Sequence, residues 1–426
     1  MQKVVIIGAG PVGLLLAHYL LSRRNYQVEI YESRLDPRLA EQSSQRTFPI
    51  ALQSRGLNAI EQIFGLKVAL AKKGVWSQGV LIYPKQGKPR QINRKMPTLL
   101  IDRNQLSLVL LEHLLEQYSQ ELLTVKFDCP CVDINPETQE AILESKNGER
   151  FTAKYDRLVG ADGVRSLVRE VLSARADIQC QKNFIPDVYK SLHVPRIAPD
   201  KTVELAGNYV HTSTLGKGIR LVLAPQPDDW LHGTLIFPPD NNPLENCTTD
   251  EAVLAYFQDN IAFIKPVMRL EDAAMLRQQP VSKIMTVKCD RMHVGDRILL
   301  VGDAAHAVSP SIGQGCNASL QDVQVFAQCL DRYEDKWEEA LPAFTVERLS
   351  DVHALRELSD YSFPRSKSMM LEFVFRLTVG KKLRPWFPLL TNPLPMELIM
   401  ESELPYSEVL KRGQGWINRV RESIQN

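Results

Sequence analysis

Residues 4–13 read VVIIGAGPVG, and the apolar segment LLLAHYL follows at 14–20. Four β-branched residues before a glycine-rich segment predict a buried strand that enters a tight turn, and the leucine-rich segment predicts a helix. The three glycines have different roles, since Gly8 permits the turn, Gly10 lets the backbone approach a pyrophosphate, and Gly13 lets helix and strand pack closely. The stretch therefore predicts a dinucleotide-binding unit with the anion at the helix N-terminus.

A second strand, QVEIYE at 27–32, ends in an acidic residue at the spacing that this unit requires. The carboxylate of Glu32 is placed to accept hydrogen bonds from the hydroxyls of an adenosine ribose, and it disfavours a 2′-phosphate. These features fit NAD as well as FAD.

Two later segments decide between the two cofactors. GADG stands at 160–163 after the apolar strand YDRLV, and GDAAH stands at 302–306 after RILLV. A strand that ends in Gly-Asp places a carboxylate where it accepts hydrogen bonds from ligand hydroxyls. Together with the first turn, these segments favour FAD.

Composition narrows the class of protein. The chain has 426 residues, 51 basic against 50 acidic, with 44% hydrophobic residues. This balance describes an ordinary globular protein and gives no global field for nucleic acid or an anionic membrane. No export signal is recognisable, and the 7 scattered cysteines lack metal-ligand spacing. We therefore expect reduced thiols, no metal, no nucleic-acid partner and a cytoplasmic location.

The order of patterns predicts an α/β (α+β overall) fold. We expect a Rossmann-like FAD-binding domain, discontinuous at 1–75, 102–177 and 286–345. Short strands between proline and glycine turns predict an inserted antiparallel-sheet substrate domain at 76–101 and 178–285, with a hairpin around residues 80–92. Residues 346–426 are predicted to form a C-terminal helical cap, and Asp102 to cap the helix that follows it.

These motifs resemble the single-component FAD-dependent aromatic hydroxylases and, within that family, the kynurenine 3-monooxygenases. The resemblance spans most of the chain. It rests on the glycine turn, YESR at 31–34, AL at 51–52 with RG at 55–56, DR at 102–103, DG at 162–163, and GDAAHA at 302–307 followed by Pro310 and GQGCN at 313–317.

The resemblance implies hydroxylation of a small aromatic substrate through a flavin C4a-hydroperoxide, with FAD as cofactor, NADPH or NADH as electron donor and O2 as co-substrate. Such chemistry is carried by the cofactor and needs no acid or base side chain, so the flavin face is assigned to the backbone at Pro310 and Gly313. Contacts with FAD are expected from Gly8, Gly10, Gly13, Glu32, Arg34, Ala51, Arg103, Asp162, Asp303, Gly315, Cys316 and Asn317.

The substrate clamp departs from the family. Kynurenine 3-monooxygenases hold the substrate carboxylate with an arginine and a tyrosine of the hairpin and an asparagine and a tyrosine nearer the C-terminus. By alignment these positions hold Val80, Ile92 or Asn93, Ser362 and Met396, and none keeps the required group. Substrate contacts are expected from Val80, Ser311, Ile312, Ser362 and Met396. A neutral or more apolar aromatic substrate is favoured, with Arg90 or Arg94 as the alternative source of a displaced clamp.

Two side chains allow two interpretations each. For His306, a packed or capping histidine is favoured over a general base. Asp162 is expected both to shape the nucleotide surface and to cap the helix that follows it.

Residues 369–400 are apolar, with Lys381, Lys382 and Arg384 interspersed. A packed cap is favoured over a peripheral membrane-surface element, and no uninterrupted apolar span is long enough to cross a membrane. Two other functions stay open: an FAD-dependent epoxidase on the same scaffold, and a flavin-binding redox sensor or scaffold without hydroxylase activity. The choice between NADH and NADPH and the oligomeric state cannot be read from the sequence.

Overall fold

The computed structural model describes residues 1–39, 49–85, 87–175, 177–364, 366–380, 383–384, 386–387 and 392–425. The strands within these residues are β1 (Gln2–Ile7), β2 (Tyr26–Tyr31), β3 (Pro49–Leu52), β4 (Val75–Tyr83), β5 (Arg90–Asp102), β6 (Leu123–Lys126), β7 (Cys131–Asn135), β8 (Glu140–Glu144), β9 (Arg150–Lys154), β10 (Arg157–Gly160), β11 (Cys180–Pro195), β12 (Tyr209–Gly216), β13 (Ile219–Gln226), β14 (Trp230–Phe237), β15 (Ser282–Cys289), β16 (His293–Val294) and β17 (Ile298–Leu300).

The α-helices in the same part of the chain are α1 (Pro11–Ser22), α2 (Ser54–Glu61), α3 (Leu66–Ala71), α4 (Arg103–Gln117), α5 (Leu167–Ala174), α6 (Asp250–Asn260), α7 (Leu270–Gln278), α8 (Asp303–His306), α9 (Gly315–Arg332), α10 (Trp337–Tyr361), α11 (Lys367–Phe375), α12 (Pro395–Glu401) and α13 (Tyr406–Gln425). Asp102 caps α4 as predicted, because its carboxylate accepts hydrogen bonds from the backbone amides of Asn104 and Gln105.

A parallel sheet positions the cofactor motifs. Within the described residues its order is β16-β17-β10-β1-β2-β6, and only the pairing of β16 with β17 is antiparallel. Strands β1, β10 and β17 come from distant parts of the chain and lie side by side. Since the carboxyl ends of parallel strands share one edge, the loops after these three strands meet there. This arrangement is the predicted Rossmann-like architecture.

The second sheet has the order β15-β11-β14-β13-β12-β4-β5-β3 within the described residues. It is antiparallel except where β12 runs parallel to β4, and β4 with β5 forms the predicted hairpin. Leu221 and Leu223 of β13 belong to the core that contains Phe257 of α6, whereas their neighbours Val222 and Ala224 lie in a separate apolar cluster. Alternate residues of a strand point to opposite faces, so helices cover one face and the other carries that cluster.

The second sheet includes residues outside the segments that were predicted for the substrate domain. β3 pairs with β5 of the second sheet although it falls within the segment 1–75, and β15 continues past residue 285 to Cys289. A third sheet of β7, β8 and β9 lies between β6 and β10 in the chain.

The C-terminal region packs as a helical cap. Leu355 and Leu358 of α10 share a buried core with Tyr406 and Ile417 of α13, and Phe373 of α11 joins it. Leu371, on the other side of α11, is 74% exposed. Lys381 and Lys382 lie outside the described residues. No helix of the described chain is both long and apolar enough to cross a membrane.

One expectation about cysteine is wrong. Cys180 and Cys289 form a disulfide, while Cys129, Cys131, Cys247, Cys316 and Cys329 are free. Cys180 begins β11 and Cys289 ends β15, and the two residues lie opposite each other in the antiparallel pair. Sequence spacing could not reveal this pair, because 109 residues separate them and only the return of the chain brings them together.

Candidate functional site

Three loops meet at the carboxyl edge of the parallel sheet. The backbone amide of Ala161 donates to the carbonyl of Ile7 at 2.9 Å, and the amide of Val301 donates to the carbonyl of Gly160 at 3.1 Å. The hydrogen-bond ladder of the parallel sheet thus continues into Ala161 and Val301, the first residues after β10 and β17. The structure therefore brings together the three segments that the sequence linked to one ligand.

The first loop forms a cradle with two crowded glycines and one open one. A Cβ on Gly8 would lie 2.5 Å from the oxygen of Ala161, and a Cβ on Gly13 would lie 2.1 Å from the oxygen of Gly8. A Cβ on Gly10 would meet no atom within 4 Å. Gly8 and Gly13 are thus required by packing, and Gly10 borders the open space that a pyrophosphate would fill at the start of α1.

Glu32 follows β2 and is buried beside this turn. Its Oε2 accepts a hydrogen bond from the amide of Ala9 at 2.8 Å, and its Oε1 accepts from the amide and Nε of Arg34 at 2.9 and 3.0 Å. Burial alone would raise the pKa of Glu32, but Arg34 outweighs burial and the pKa is lowered. The site therefore keeps an ionised carboxylate where the ribose of a dinucleotide is expected, and Arg34 lies on that carboxylate.

Asp162, in the second loop, forms hydrogen bonds through one of its two carboxylate oxygens. Its Oδ2 accepts hydrogen bonds from the amides of Leu167 and Val168 at 2.7 and 3.2 Å, so it caps the start of α5 as predicted. Its Oδ1 is buried and has no hydrogen-bond partner among the described residues. Burial raises the pKa of Asp162. An orphaned buried oxygen at this edge fits a site that awaits a ligand donor.

The third loop places Asp303 within electrostatic range of Cys316, whose thiol also lies within range of Arg103. Asp303 starts α8 and is exposed, although residues on both sides of it are buried. Burial is the main cause that raises the pKa of Cys316 to about 12; the Asp303 carboxylate adds to this effect and the Arg103 guanidinium opposes it. One exposed carboxylate and one guanidinium thus lie near the start of α9, which suits ligand hydroxyls and a ligand anion respectively.

The loop before α9 presents backbone. Pro310 and Gly313 are exposed, and Gly313 has a φ of +64°, in the left-handed region that favours glycine. The Asn317 side chain holds this loop against β3: its Oδ1 accepts from the amide of Gln53 at 2.7 Å, and its Nδ2 donates to the carbonyls of Ala51 and Gly313 at 2.9 and 3.1 Å. Asn317 therefore positions Ala51 and Gly313, and its side-chain amide is hydrogen-bonded to protein atoms. Helix α9 begins at Gly315.

A buried ionic network missed by the sequence interpretation supports the third loop. Asp322 of α9 accepts hydrogen bonds from the Gly302 amide at 3.0 Å, from Nε2 of His306 at 2.5 Å and from Nε of Arg348 at 2.9 Å. Burial would raise the pKa of Asp322, but His306 and Arg348 outweigh it and lower the pKa. His306 is thus packed and in hydrogen-bond contact with Asp322, in line with the interpretation that the sequence favoured over a general base.

Two further connections join the loops to their surroundings. Arg169 of α5 is fully buried and donates to the carbonyls of Ala304 and Val164 at 2.9 Å each, which ties the second loop to the third. Gln314 donates to Gln53 and accepts from the Tyr406 hydroxyl, both at 2.8 Å. The available sequence signal was a charged residue within an apolar helical stripe, as for Asp322 between Ala318 and Phe326.

The face of the second sheet beside this loop is apolar. Leu100, Val210 and Ala224 form a buried cluster with Ala51, Val80 and Val222 packed on it. Because Asn317 binds the Ala51 carbonyl, this cluster borders the loop at 310–317. Val80 therefore lies on the apolar face that borders this loop.

The other expected substrate residues lie in the C-terminal core. Ile312 is buried there, and Met396 packs against the same core. Ser311 is exposed, and its hydroxyl donates to the carbonyl of Ser359. Ser362 is buried, and its carbonyl accepts a hydrogen bond from Nε1 of Trp416 at 3.0 Å. The structure thus groups these four residues on the cap side, apart from Val80.

Comparisons with known proteins agree with this geometry. Residues 1–349 match a family described as FAD binding domain. The chain is 30% identical to kynurenine 3-monooxygenase of Sus scrofa over 427 residues, covering 98% of this chain and 88% of the relative. It is also 30% identical to kynurenine 3-monooxygenase of Stenotrophomonas maltophilia (strain K279a), covering 96% and 90%.

Solved structures show the same fold. The 2-methyl-3-hydroxypyridine-5-carboxylic acid oxygenase superposes with a TM-score of 0.67 at 20% identity over 93% of this chain and 95% of that chain. The Pseudomonas aeruginosa protein PqsL, in complex with 2-aminobenzoylacetate, superposes with a TM-score of 0.64 at 21% identity over 84% and 95%. On the family match and the near full-length relatives, this chain belongs to the FAD-dependent aromatic hydroxylases and is an FAD-dependent monooxygenase.

Proposed function

We propose that this enzyme uses NAD(P)H and O2 to hydroxylate a small aromatic substrate. The observation that carries the proposal is the junction between the three-loop cofactor edge and the apolar face of the second sheet, where Asn317 binds the carbonyl of Ala51. A flavin held by the loops would lie beside a surface suited to an aromatic ring. The relatives named above act on or bind compounds with an aromatic ring, which supports the same substrate class.

FAD, when bound, supplies the chemistry: it accepts reducing equivalents from NAD(P)H and activates O2 for transfer of one oxygen atom to the substrate. The assignment of the chain's residues follows the geometry. The open space at Gly10 and the carboxylate of Glu32 suit the nucleotide half, while the Asp303 carboxylate suits the hydroxyls of the chain that leads to the flavin.

The loop at 310–317 and the start of α9 act electrostatically. Exposed backbone at Pro310 and Gly313, followed by the N-terminus of a long helix at Gly315, places amide groups and a positive dipole end at one position. Negative charge on a reduced ring is stabilised by such a helix end. Side chains are not required to move a proton here, and His306 is already engaged by Asp322.

The apolar cluster of Leu100, Val210 and Ala224 has a different role. Buried aliphatic side chains exclude water from the reacting centre and offer a flat surface to an aromatic ring. Water exclusion matters because reduction of O2 by NAD(P)H that is not coupled to oxygen transfer would release hydrogen peroxide without product. The same surface would accept an alkene, so the product distinguishes hydroxylation from epoxidation.

The test is a turnover assay with the purified FAD-loaded protein. NADPH and NADH oxidation and O2 uptake are followed with L-kynurenine, 2-aminobenzoate, 2-aminobenzamide and phenol, and products are analysed by mass spectrometry under 18O2. We expect one compound to accelerate NAD(P)H oxidation and to acquire one 18O atom on its ring. Hydrogen peroxide as the sole oxygen product with every compound would contradict the proposal and favour a flavin-binding scaffold; an epoxide or diol would identify an epoxidase.

A further inference from the structure

The disulfide between Cys180 and Cys289 lies where the second sheet joins the parallel sheet. Cys180 begins β11, the first strand of the second sheet after α5, and Cys289 ends β15, from which the chain returns to the parallel sheet through β16. Next to the bond, the amide of Asp290 donates to the carbonyl of Gln179 and the amide of Gln179 donates to Oδ1 of Asp290, both at 2.9 Å. The disulfide therefore crosslinks two chain segments that connect the sheets.

The same disulfide packs against two of the three loops at the cofactor edge. Cys180 and Cys289 share an apolar cluster with Val164, Val287 and Ala307. Val164 directly follows GADG of the second loop, and Ala307 directly follows GDAAH of the third. The amide of Val287 in β15 also donates to the carbonyl of Ala307 at 2.8 Å. The crosslink is thus in packing contact with the ends of both loops.

Movements at Val164 and Ala307 reach residues that are assigned to the cofactor. Asp162 is two residues before Val164, and Asp303 is four residues before Ala307. Buried Arg169 donates to the carbonyl of Val164 at 2.9 Å and holds this loop in place. Protein interiors are close-packed and transmit displacement, and two separate thiols need more room than one disulfide. Opening the bond should therefore disturb both loops and raise the cost of ordering them around a cofactor.

The disulfide is also the accessible redox group among the cysteines. Cys180 is partly exposed, whereas Cys289 is 2% exposed, so an external thiolate meets the sulfur of Cys180. The free cysteines are less reactive, because burial raises the pKa of each thiol and thiols react only as thiolates. They are Cys129, Cys131, Cys247, Cys316 and Cys329.

We propose that Cys180 and Cys289 form a redox modification site, opened by a dithiol reductant, that controls the affinity of this enzyme for FAD. A thiolate of the reductant attacks Sγ of Cys180, forms a mixed disulfide and releases Cys289 as a thiolate that takes up a proton. The second thiol of the reductant then displaces Cys180, which leaves as a thiol. The protein thereby gains two electrons and two protons, and the reductant leaves as its own disulfide.

The closed form holds the second and third loops against the junction of the sheets and binds FAD tightly, whereas the open form binds it more weakly. Such coupling is reciprocal: if closing the disulfide favours FAD, bound FAD must protect the disulfide from reduction by the same factor. A disulfide that stabilised only the second sheet would show neither effect.

The experiment measures both sides of this coupling on the full-length protein. The Kd for FAD is obtained by fluorescence titration of the FAD-stripped protein in buffers with fixed ratios of reduced to oxidised dithiothreitol. The open fraction of the disulfide is measured at each ratio, with and without saturating FAD, by alkylation and mass spectrometry. We expect reduction to raise the Kd by about 10-fold, and FAD to raise the dithiothreitol ratio at half-opening by the same factor.

Three variants locate the effect. C180S and C289S should bind FAD as the reduced wild type does, without responding to dithiothreitol. The matched control is C247S, because Cys247 is a free cysteine that packs against the separate core of the second sheet, and it should keep the response of the wild type. Circular dichroism at the assay temperature establishes that the reduced protein is folded, and the wild-type titration tests the proposal even if a serine variant does not fold.

An equal Kd for FAD in the oxidised and reduced protein, or an identical half-opening ratio with and without FAD, would overturn the proposal. So would seven alkylated cysteines in the protein before reduction. The readouts are FAD binding and disulfide content, so a failure of the proposed hydroxylation would leave this result unchanged.

Discussion

The cofactor edge and the apolar face of the second sheet are stabilised by different interactions, although Asn317 joins them. Hydrogen bonds and ion pairs hold the first, and aliphatic contacts hold the second. At the cofactor edge, buried charges have partners within the chain: Asp322 binds Gly302, His306 and Arg348, and Glu32 binds Ala9 and Arg34. The sheet face consists of aliphatic side chains, and the Arg94 guanidinium donates to the neutral hydroxyl of Thr98.

The difference separates a cofactor edge with a fixed geometry from a sheet face whose ring preference can change. Directional hydrogen bonds fix the loops in one geometry, which suits a cofactor that every turnover shares. Aliphatic contacts specify little beyond volume, so a few substitutions can change which ring is accepted. The same contrast fits the expectation from the sequence that the FAD motifs are kept while the clamp positions are replaced by Val80, Ser362 and Met396.

The substitution D322A should have the largest effect, because it removes the centre of the hydrogen-bond network at the cofactor edge. We expect the free energy of unfolding to fall by roughly 3 to 5 kcal/mol, because the variant removes a buried carboxylate that is paired with the Arg348 guanidinium and hydrogen-bonded to His306. Urea unfolding of the protein, with and without added FAD, measures it. The control is E61Q in the exposed pair of Glu61 with Lys67, which should change stability by less than about 0.5 kcal/mol. A D322A variant as stable as this control would show that the network carries no stability.

Alanine at Gly13 and at Gly10 separates packing from cofactor binding. G13A should lower the unfolding free energy of the FAD-free protein by about 1 to 3 kcal/mol, because its Cβ would lie 2.1 Å from a backbone oxygen. G10A should leave that stability unchanged, since Gly10 has a φ of −75° and open space, yet lose FAD. Thermal unfolding and flavin absorbance report the two effects. Full flavin content in G10A would contradict the assignment of this space to the pyrophosphate.

The disulfide lies at the ends of the two strands that leave and rejoin the cofactor region. Under denaturing conditions without reductant, we expect five of the 7 cysteines to be alkylated. C180S and C289S should each lower the unfolding free energy by about 2 to 4 kcal/mol relative to the oxidised protein. Mass spectrometry after alkylation counts the thiols, and modification of all seven would show that the bond is absent.

His18 gives the cofactor domain a dependence on pH. Burial lowers the pKa of His18 to about 4, against an ordinary value of 6.5. The unfolded chain therefore binds a proton that the folded chain refuses, and stability should fall as pH decreases from 6.5 towards 4, by up to about 1.4 kcal/mol per pH unit. H18Q should reduce this slope in urea titrations. The slope should not vanish, because burial also lowers the pKa values of His211, His293 and His353. An identical slope in H18Q would contradict the assignment.

The smallest effect is expected on the adjustable face. V80T keeps the side-chain shape and adds a hydroxyl to the apolar cluster, so we expect a stability loss of about 1 kcal/mol with unchanged flavin content. Its effect should appear in the KM for the substrate more than in kcat. A loss of flavin instead would show that the two regions are less independent than their chemistry indicates.

The sequence alone determined the cofactor side, because local patterns carry that information. A β-branched strand, glycines and a following helix specify a turn within ten residues, and Gly-Asp at the end of another strand specifies a carboxylate at the same edge. Asp102 and Asp162 as helix caps were predictable for the same reason: a cap bonds to amides a few residues ahead of it.

Only the tertiary structure decided which distant residues meet. Asp322 with Gly302 and Arg348, Gln53 with Gln314 and Tyr406, and Cys180 with Cys289 are contacts across long separations in the chain, set by how sheets and helices pack. Arg90 and Arg94 are alike in sequence, both on one hairpin strand. The fold of the sheet leaves Arg90 exposed, whereas it turns the Arg94 guanidinium back towards the hydroxyl of Thr98.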